Sequence, residues 1–161
     1  MSKRRVQNLI ELLVERLPQE VPVELDGVDG MDDCGEQQLA SAHYLGFIAP
    51  VSDGKLARAL LETLPTLTLY GATIDENDPL FGDTVKSEAS ISRGHYLDGF
   101  LNRITVLRGD VQMASMRLKG RSFDVIVLGE QCVQDMPVVK LMLRKTGLLV
   151  WQVRGTWWCQ L

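Results

Sequence analysis

Apolar residues recur at helical spacing near the start of the chain. The apolar positions run from about residue 4 to residue 17, where Pro18 interrupts the pattern: Val6, Leu9, Ile10, Leu13 and Leu17. This predicts an amphipathic N-terminal helix. Next comes the segment 21–38, in which residues 26–36 combine five acidic residues with three glycines, a composition typical of turns. We interpret it as an acidic loop, which with the helix makes up an N-terminal part over residues 1–38.

From residue 43 the pattern changes, and short apolar runs alternate with helical stretches. Five runs have the length and composition of strands: Tyr44–Ala49, Leu67–Ile74, Ile104–Leu107, Phe123–Leu128 and Leu148–Val153. Alternation of this kind predicts β-α-β units. We therefore expect an α/β fold: an open, mostly parallel sheet of about five to six strands with helices on both faces, preceded by the N-terminal helix. The predicted core covers residues 43–153.

The connections follow from the same pattern. A helix with Leu56, Leu60, Leu61 and Leu64 on one face is expected after the first strand, with Ser52 or Asp53 as its N-cap. Residues 82–101 indicate a loop and then a helix that buries Tyr96, Leu97 and Phe100. A short helix is expected near 135–145, followed by a turn at Thr146-Gly147.

The chain ends with a cluster of aromatic residues. Thr156–Cys159 is a candidate for a last edge strand, and Trp151, Trp157 and Trp158 all lie within the last eleven residues. Aromatic side chains at an open sheet edge suit a protein interface, with a second copy or another protein as partner. Equally, the tryptophans could simply cover a small sheet.

Composition narrows the class of protein. With 161 residues, 45% hydrophobic residues and a net charge of −4, the sequence predicts a single globular domain over residues 1–161. Because the 21 acidic residues outnumber the 17 basic ones, the composition does not indicate a broad nucleic-acid-binding surface. It leaves open only local contacts between basic residues and nucleic acid. The N-terminus lacks the apolar core of a signal peptide, and no run approaches the roughly 20 apolar residues that span a membrane. We expect a cytoplasmic protein with reduced thiols, since the three cysteines form no CxxC pair.

Ligands of open parallel sheets bind at the carboxyl ends of strands. The candidate segments are therefore 46–54, 75–78, 109–111 and 129–134. Within the last one, Glu130 and Gln131 could orient a substrate, and Cys132 is either a nucleophile or a buried small hydrophobe.

Taken in order, these segments resemble the class I S-adenosylmethionine-dependent methyltransferases, which have a Rossmann-like fold. The strand ending Thr73-Ile74-Asp75 resembles the family's second strand, whose acidic end takes the ribose hydroxyls. Arg108-Gly109-Asp110 is similar to the turn that frames the adenine, and the strand starting Phe123-Asp124 is similar to the fourth strand. The turn at 146–147 and the Leu148–Val150 run match the start of the fifth strand. The resemblance covers about residues 43–153.

The family's glycine-rich loop after strand one is degenerate here. The segment Leu45–Gly54 has one glycine at Gly46 and the next at Gly54, and it also carries Phe47, Ile48 and Pro50. The same loop falls close to a phosphate-binding G-x-x-x-x-G-K-[ST] motif, but Ala49 and Leu56 occupy two of its defining positions. A nucleotide hydrolase is therefore disfavoured, although the following helix N-terminus could attract an anion.

Other candidate chemistry is weak. His43 and His95 have no obvious catalytic partners, and the acidic loop does not follow the spacing of a calcium loop, so no metal site is predicted. The family's closing helix and strands after strand five are not evident.

Two hypotheses remain. In the first, the chain is a methyltransferase that transfers a methyl group from S-adenosylmethionine to an unidentified acceptor. The resemblance then implies a cofactor site at Gly46, Asp75, Gly109 and Asp110, with Glu130 and Gln131 toward the substrate. In the second, the domain has lost the cofactor site and serves as a protein-binding or regulatory subunit, with Phe47, Ile48 and Pro50 filling the former pocket. The sequence leaves the enzyme status and the catalytic residues open.

Overall fold

The computed structural model describes residues 2–22, 39–52, 54–73, 97, 99–100 and 102–160. The strands in these ranges are β1 (Lys3–Val6), β2 (Glu20–Pro22), β3 (Leu39–Ser41), β4 (Tyr44–Ala49), β5 (Leu67–Thr73), β6 (Ile104–Arg108), β7 (Phe123–Leu128), β8 (Leu143–Val153) and β9 (Thr156–Gln160). The helices are α1 (Leu9–Arg16), α2 (Lys55–Thr63), α3 (Val111–Arg117) and α4 (Met136–Lys140), and a 3₁₀ helix spans Glu130–Asp135.

Seven strands form one sheet in the order β1-β9-β8-β7-β4-β5-β6. The five strands β8, β7, β4, β5 and β6 are parallel, whereas β9 runs antiparallel to both of its neighbours. β2 and β3 pair separately. The predicted α/β fold with a mostly parallel sheet is confirmed, and the five predicted strands are all present.

Two hydrophobic cores lie on the two faces of the sheet. The first contains Leu13 of α1 and Leu60 of α2, packed against Ile48 and Val127 of the sheet. The second contains Val111 of α3 and Val139 of α4. Because β4 and β7 lie at the centre of the sheet, their residues alternate between the two cores, and the last four residues of each strand are almost fully buried.

The N-terminal helix is shorter than predicted. It begins at Leu9, because Asn8 caps it by accepting the Glu11 N–H on Oδ1 at 3.1 Å. Residues 3–6 instead form β1, in which only Val6 is buried. Residues 21 and 22, assigned to the acidic loop from sequence, belong to β2, and 23–38 lie outside the described residues.

β9 exists as predicted, but it is not an edge strand. β1 pairs with it antiparallel, from Lys3 opposite Gln160 to Val6 opposite Trp157. The Lys3 ammonium lies 4.8 Å from the centroid of the Trp158 ring. β1 is therefore the edge strand on this side of the sheet, and the expected open aromatic edge is wrong because a strand that the sequence pattern did not indicate covers it.

Two further elements differ from expectation. The predicted turn at Thr146-Gly147 lies inside β8, which starts at Leu143 and shifts register against β7 between Phe123 and Val125. Gly54, with φ of +89°, is the N-cap of α2 in place of Ser52, and Asp53 lies outside the described residues. Leu97 is buried as predicted, but most of the helix expected within 82–101, with Tyr96, lies outside the described residues.

No described helix has the length and hydrophobicity to cross a membrane.

Candidate functional site

The chain reverses direction across the sheet between β4 and β7. From β4 it builds outward through β5 to β6, and then it returns to place β7 and β8 on the other side of β4. Such a switch point leaves a crevice outside the carboxyl ends of the two central strands. A hydrogen bond joins the end of β4 to the loop that follows β7, because the Gly129 N–H donates to the Ala49 carbonyl at 2.7 Å.

The loop after β4 folds down onto β5. The Val51 N–H donates to the Ala72 carbonyl at 3.0 Å, and the Val51 side chain, 2% exposed, packs against Gly71. A Cβ on Gly71 would collide with Cγ2 of Val51. The side chain of Val51 is therefore buried against β5, and it forms part of the wall of the cleft described below.

Phe47 and Ile48 do not fill a pocket. Both belong to β4, where Phe47 packs into one core and Ile48 into the other, and the loop starts only after Ala49. The expectation that these two side chains would occupy the ligand space is wrong for Phe47, while Ile48 contributes only to the wall of a cleft. Pro50 also lines that cleft.

The cleft at the switch point, which we call the central cleft, has a volume of about 280 Å³. Its lining comes from the loop after β4, the first turn of α2, the segment after β7 and the β8–β9 pair: Ile48, Pro50, Val51, Ser52, Lys55, Leu56, Val127, Gly129, Gln131, Gln152 and Trp157. A second, lateral cleft of about 360 Å³ is lined by Arg5, Val6, Gln7, Gly155, Thr156 and Trp157. Trp157 is common to both.

The two predicted substrate residues separate in the structure. Gln131 is exposed and lines the central cleft. Glu130 is also exposed, but its Oε1 accepts the backbone N–H of Arg154 at 2.7 Å and so fastens the 3₁₀ helix to the β8–β9 turn. That turn has positive φ at both Arg154 and Gly155, the geometry of a tight hairpin.

The predicted cofactor residues lie at different depths. Gly46 is in the middle of β4, where a Cβ would approach side-chain carbons of Leu67, Leu69 and Val125 to 3.1 Å, so the structure places it in the packed sheet and not at the carboxyl edge. Gly109 follows β6 with φ of +125°, and its N–H donates to the Thr73 carbonyl at 2.9 Å. The structure thus brings Gly109-Asp110 beside the end of β5, two residues before Asp75, which lies outside the described residues.

Asp110 begins α3. Its Oδ1 accepts the Met113 N–H at 2.8 Å, so the carboxylate caps the helix. Asp135, at the end of the 3₁₀ helix, is close enough for the two charges to interact. Burial raises the pKa of Asp135, and the negative charge of Asp110 raises it further. Sequence reasoning missed both Asp135 and α3, although the spacing of Val111, Ala114 and Leu118 indicates a helix.

Cys132 is not suited to act as a nucleophile. It is fully buried in the second core, and burial together with the charge of Asp135 raises the pKa of its thiol to about 12. Almost no thiolate is present near neutral pH. Of the two alternatives left by the sequence, the buried small hydrophobe is the correct one.

The one candidate histidine among the described residues does not join the site. His43 is exposed and precedes β4, at the amino edge of the sheet, whereas His95 and Cys34 lie outside the described residues. Among the residues that the structure describes, no three histidine, cysteine or acidic side chains are grouped as metal ligands.

Asp135→Asn is expected to raise the melting temperature slightly near neutral pH. The folded protein favours the neutral carboxyl, so the contribution of Asp135 to stability is present below its unfolded pKa of about 3.9 and is lost as the pH rises through its higher folded pKa. The amide mimics the neutral form, so the gain should vanish at about pH 3. Thermal denaturation across pH measures this. Asp110→Asn keeps the helix cap and should give a smaller gain; destabilisation by Asp135→Asn at neutral pH would contradict the assignment.

Comparison with known proteins bears on the fold. Neither a protein-family model nor a curated protein matches the chain. Solved structures do: a SAM-dependent methyltransferase from Agrobacterium tumefaciens is 12% identical with a TM-score of 0.52, and the match covers 71% of this chain and 41% of that chain. Human methyltransferase-like protein 13 in complex with SAH is 15% identical with a TM-score of 0.50, and the match covers 68% of this chain and 54% of that chain.

A third match extends the same group. Precorrin-6y C5,15-methyltransferase from Geobacter metallireducens is 10% identical with a TM-score of 0.50, and the match covers 68% of this chain and 54% of that chain. The chain therefore spans about half the length of two of these structures and 41% of the length of the third. At such identities the likeness concerns architecture only, and it agrees with the strand order described above. The chain therefore has a class I methyltransferase-like fold.

Proposed function

We propose that the chain binds S-adenosylmethionine across the carboxyl ends of β4, β5 and β6 and acts as a methyltransferase on an acceptor held in the central cleft. The observation that carries this proposal is the position of the cleft at the switch point, with lining residues from the loops after both β4 and β7. The cofactor supplies an electrophilic methyl group. The contribution of the chain is mainly to orient the two reactants, which can account for a large part of a rate enhancement.

The residues present are compatible with this cofactor. Pro50, Val51 and Ser52 all line the cleft, and Val51 is also buried against Gly71, so the loop after β4 presents small or buried side chains to the cleft although it lacks the usual glycines. Gly109 provides a second small position beside the end of β5. We assign Asp75 to the ribose hydroxyls, Gly109-Asp110 to the adenine side and Gln131 to the acceptor. Gly46 serves packing in this proposal.

Calorimetric titration with S-adenosylmethionine tests it. We expect micromolar binding that Asp75→Asn weakens at least tenfold, because hydrogen bonds to a charged group contribute about 1.5–3 kcal/mol. Asp78→Asn, three residues further along the same segment, is the matched control and should bind normally.

The same titration separates the enzyme from the regulatory alternative. Absence of heat at high protein concentration, with the wild-type chain folded, would contradict cofactor binding. A stable dimer or heteromer in light scattering under those conditions would favour a diverged subunit.

A further inference from the structure

A further cleft lies at the amino edge of the sheet, opposite to the central cleft. It has a volume of about 290 Å³ and lies between the C-terminal ends of α3 and α4, where the chain enters β7 and β8. We call it the amino-edge cleft, and it is lined by residues 118–121 and by Ser115, Val138, Leu141 and Met142. The Phe123 N–H donates to the Met142 carbonyl at 2.8 Å, so a backbone hydrogen bond joins its two walls.

The apolar part of the amino-edge cleft has a buried floor and an exposed rim. Leu118 and Met142 belong to the second core, and Val138 packs against that core. Leu141 is 88% exposed, the highest value among the large hydrophobic side chains that the structure describes. Met116, which is 77% exposed, directly follows a lining residue of α3. Exposed apolar side chains beside a preformed cleft are typical of a protein-binding surface.

The charged side chains of the described cleft lining are both basic. They are Lys119 and Arg121, which are exposed, and no aspartate or glutamate belongs to this lining. Lys119 forms no ion pair with another described residue. The Arg121 guanidinium lies 4.9 Å from the centroid of the Tyr70 ring, a contact that orients the group and leaves its charge free of a carboxylate.

The surroundings of the cleft have the same sign of charge. Segments 111–123 and 136–146 contain six basic residues and no acidic one. Asp124, between them in sequence, is ion-paired with Arg144 at 2.6 Å. The other two acidic residues between these segments lie in the 3₁₀ helix that precedes α4, whereas the cleft is at the C-terminal end of α4. In a chain with a net charge of −4, this face is complementary to an acidic ligand.

We propose that the amino-edge cleft docks an acidic peptide segment of a partner protein. An apolar side chain of the segment enters the cleft against Leu118 and Leu141, and neighbouring carboxylates pair with Lys119 and Arg121. The concave shape favours a peptide over a membrane, because a side chain fills such a cleft whereas a bilayer takes up side chains that protrude. This inference is independent of methyl transfer, which we place at the opposite edge of the sheet.

Selection from a phage-displayed library of random peptides of about twelve residues, with the full chain immobilised, tests the proposal. We expect the recovered peptides to be enriched several-fold in aspartate and glutamate beside leucine, isoleucine, methionine or phenylalanine, relative to the unselected library. The most frequent peptide is then labelled with fluorescein and titrated with the chain in fluorescence anisotropy. Absence of enrichment, or enrichment of basic peptides, would overturn the inference.

Two variants locate the binding of the labelled peptide. Leu141→Gln should weaken it roughly tenfold, because the apolar anchor loses its exposed contact. Lys119→Gln should weaken it several-fold, and this loss should shrink as the salt concentration rises. Val14→Gln and Arg16→Gln are the matched controls, since they change exposed residues of α1 on the opposite face of the sheet. Each should change the affinity less than about twofold.

Other occupants of the cleft give different results. A wild-type dimer in light scattering that Leu141→Gln converts to a monomer would mean that a second copy covers the cleft. Sedimentation with phosphatidylserine-containing vesicles that depends on Leu141, without selection of acidic peptides, would mean that a membrane does. Either result overturns the inference, as does equal peptide affinity of the wild type and Leu141→Gln.

Two controls accompany these measurements. Circular dichroism verifies that each variant is folded, and Lys119→Gln carries the test if Leu141→Gln unfolds. Calorimetry with S-adenosylmethionine should give the same affinity for Leu141→Gln and the wild type. Loss of peptide binding with intact cofactor binding would therefore contradict only the docking site, and the reverse result would contradict only the methyltransferase.

Discussion

Gly71→Ala is expected to destabilise the folded protein by about 2 kcal/mol and to weaken the binding of S-adenosylmethionine. The added Cβ would collide with Val51 Cγ2 and approach Cγ2 of Ile48 to 3.4 Å. Both neighbours are at most 2% exposed, so the new atom finds no free volume. Overpacking of this kind costs about 1–3 kcal/mol, which corresponds to a melting temperature lower by several degrees. Relief requires the loop after β4 to lift, and that loop carries Pro50 and Ser52 at the cleft.

Val51→Ala provides the matched test of this explanation. Alone it removes two buried methyl groups and should destabilise through the cavity it leaves. Combined with Gly71→Ala, it removes the colliding atom, so the double variant should be more stable than Gly71→Ala and should recover much of the cofactor affinity. Thermal denaturation and calorimetry of the four proteins form a double-mutant cycle. Strictly additive losses would show that the contact does not hold the loop.

The parallel core was predictable because burial on both faces leaves a strong local signal. β4, residues Val125–Leu128 of β7 and Leu148–Trp151 of β8 are continuous apolar runs, and their side chains alternate between two cores. α2 was equally clear from its leucine face. In these elements the local pattern and the tertiary structure agree.

β1 could not be predicted for the opposite reason. It consists of Lys3, Arg4, Arg5 and Val6, and only Val6 is buried, so its identity as a strand depends on pairing with β9 at the far end of the chain. A long-range contact of this kind leaves no period in the local sequence. The same residues extend a plausible helical pattern, which explains why the helix start was placed too early.

The candidate site was predictable in outline but not in detail. The sequence pointed to the Gly109 turn and to Gln131 because both follow predicted strands, and the carboxyl ends of parallel strands share one edge of the sheet. The sequence could not show that Glu130 turns to the β8–β9 hairpin while its neighbour enters the cleft.

Removal of residues 2–6 is expected to convert the protein into a less stable, aggregating species. The truncation deletes β1 and uncovers the backbone of β9, whose hydrogen-bonding groups then form an open edge beside Trp158 and Cys159. It also removes Val6, which is 7% exposed and contributes about 1.5–3 kcal/mol by burial. An exposed, apolar edge strand pairs readily with other chains. Sedimentation should show oligomers, and the melting temperature should fall by about 4–8 °C.

A charge-only variant separates strand pairing from electrostatics. The triple substitution of Lys3, Arg4 and Arg5 by glutamine keeps the strand and Val6 but removes the three positive charges, including the ammonium above the Trp158 ring. It should remain monomeric and lose little stability, because exposed charge contacts contribute about 0–1 kcal/mol each. Aggregation of the triple variant to the same extent as the truncated chain would mean that charge protects the edge. A monomeric truncated chain with unchanged melting temperature would mean that β9 needs no cover and that β1 does not contribute to the sheet's stability.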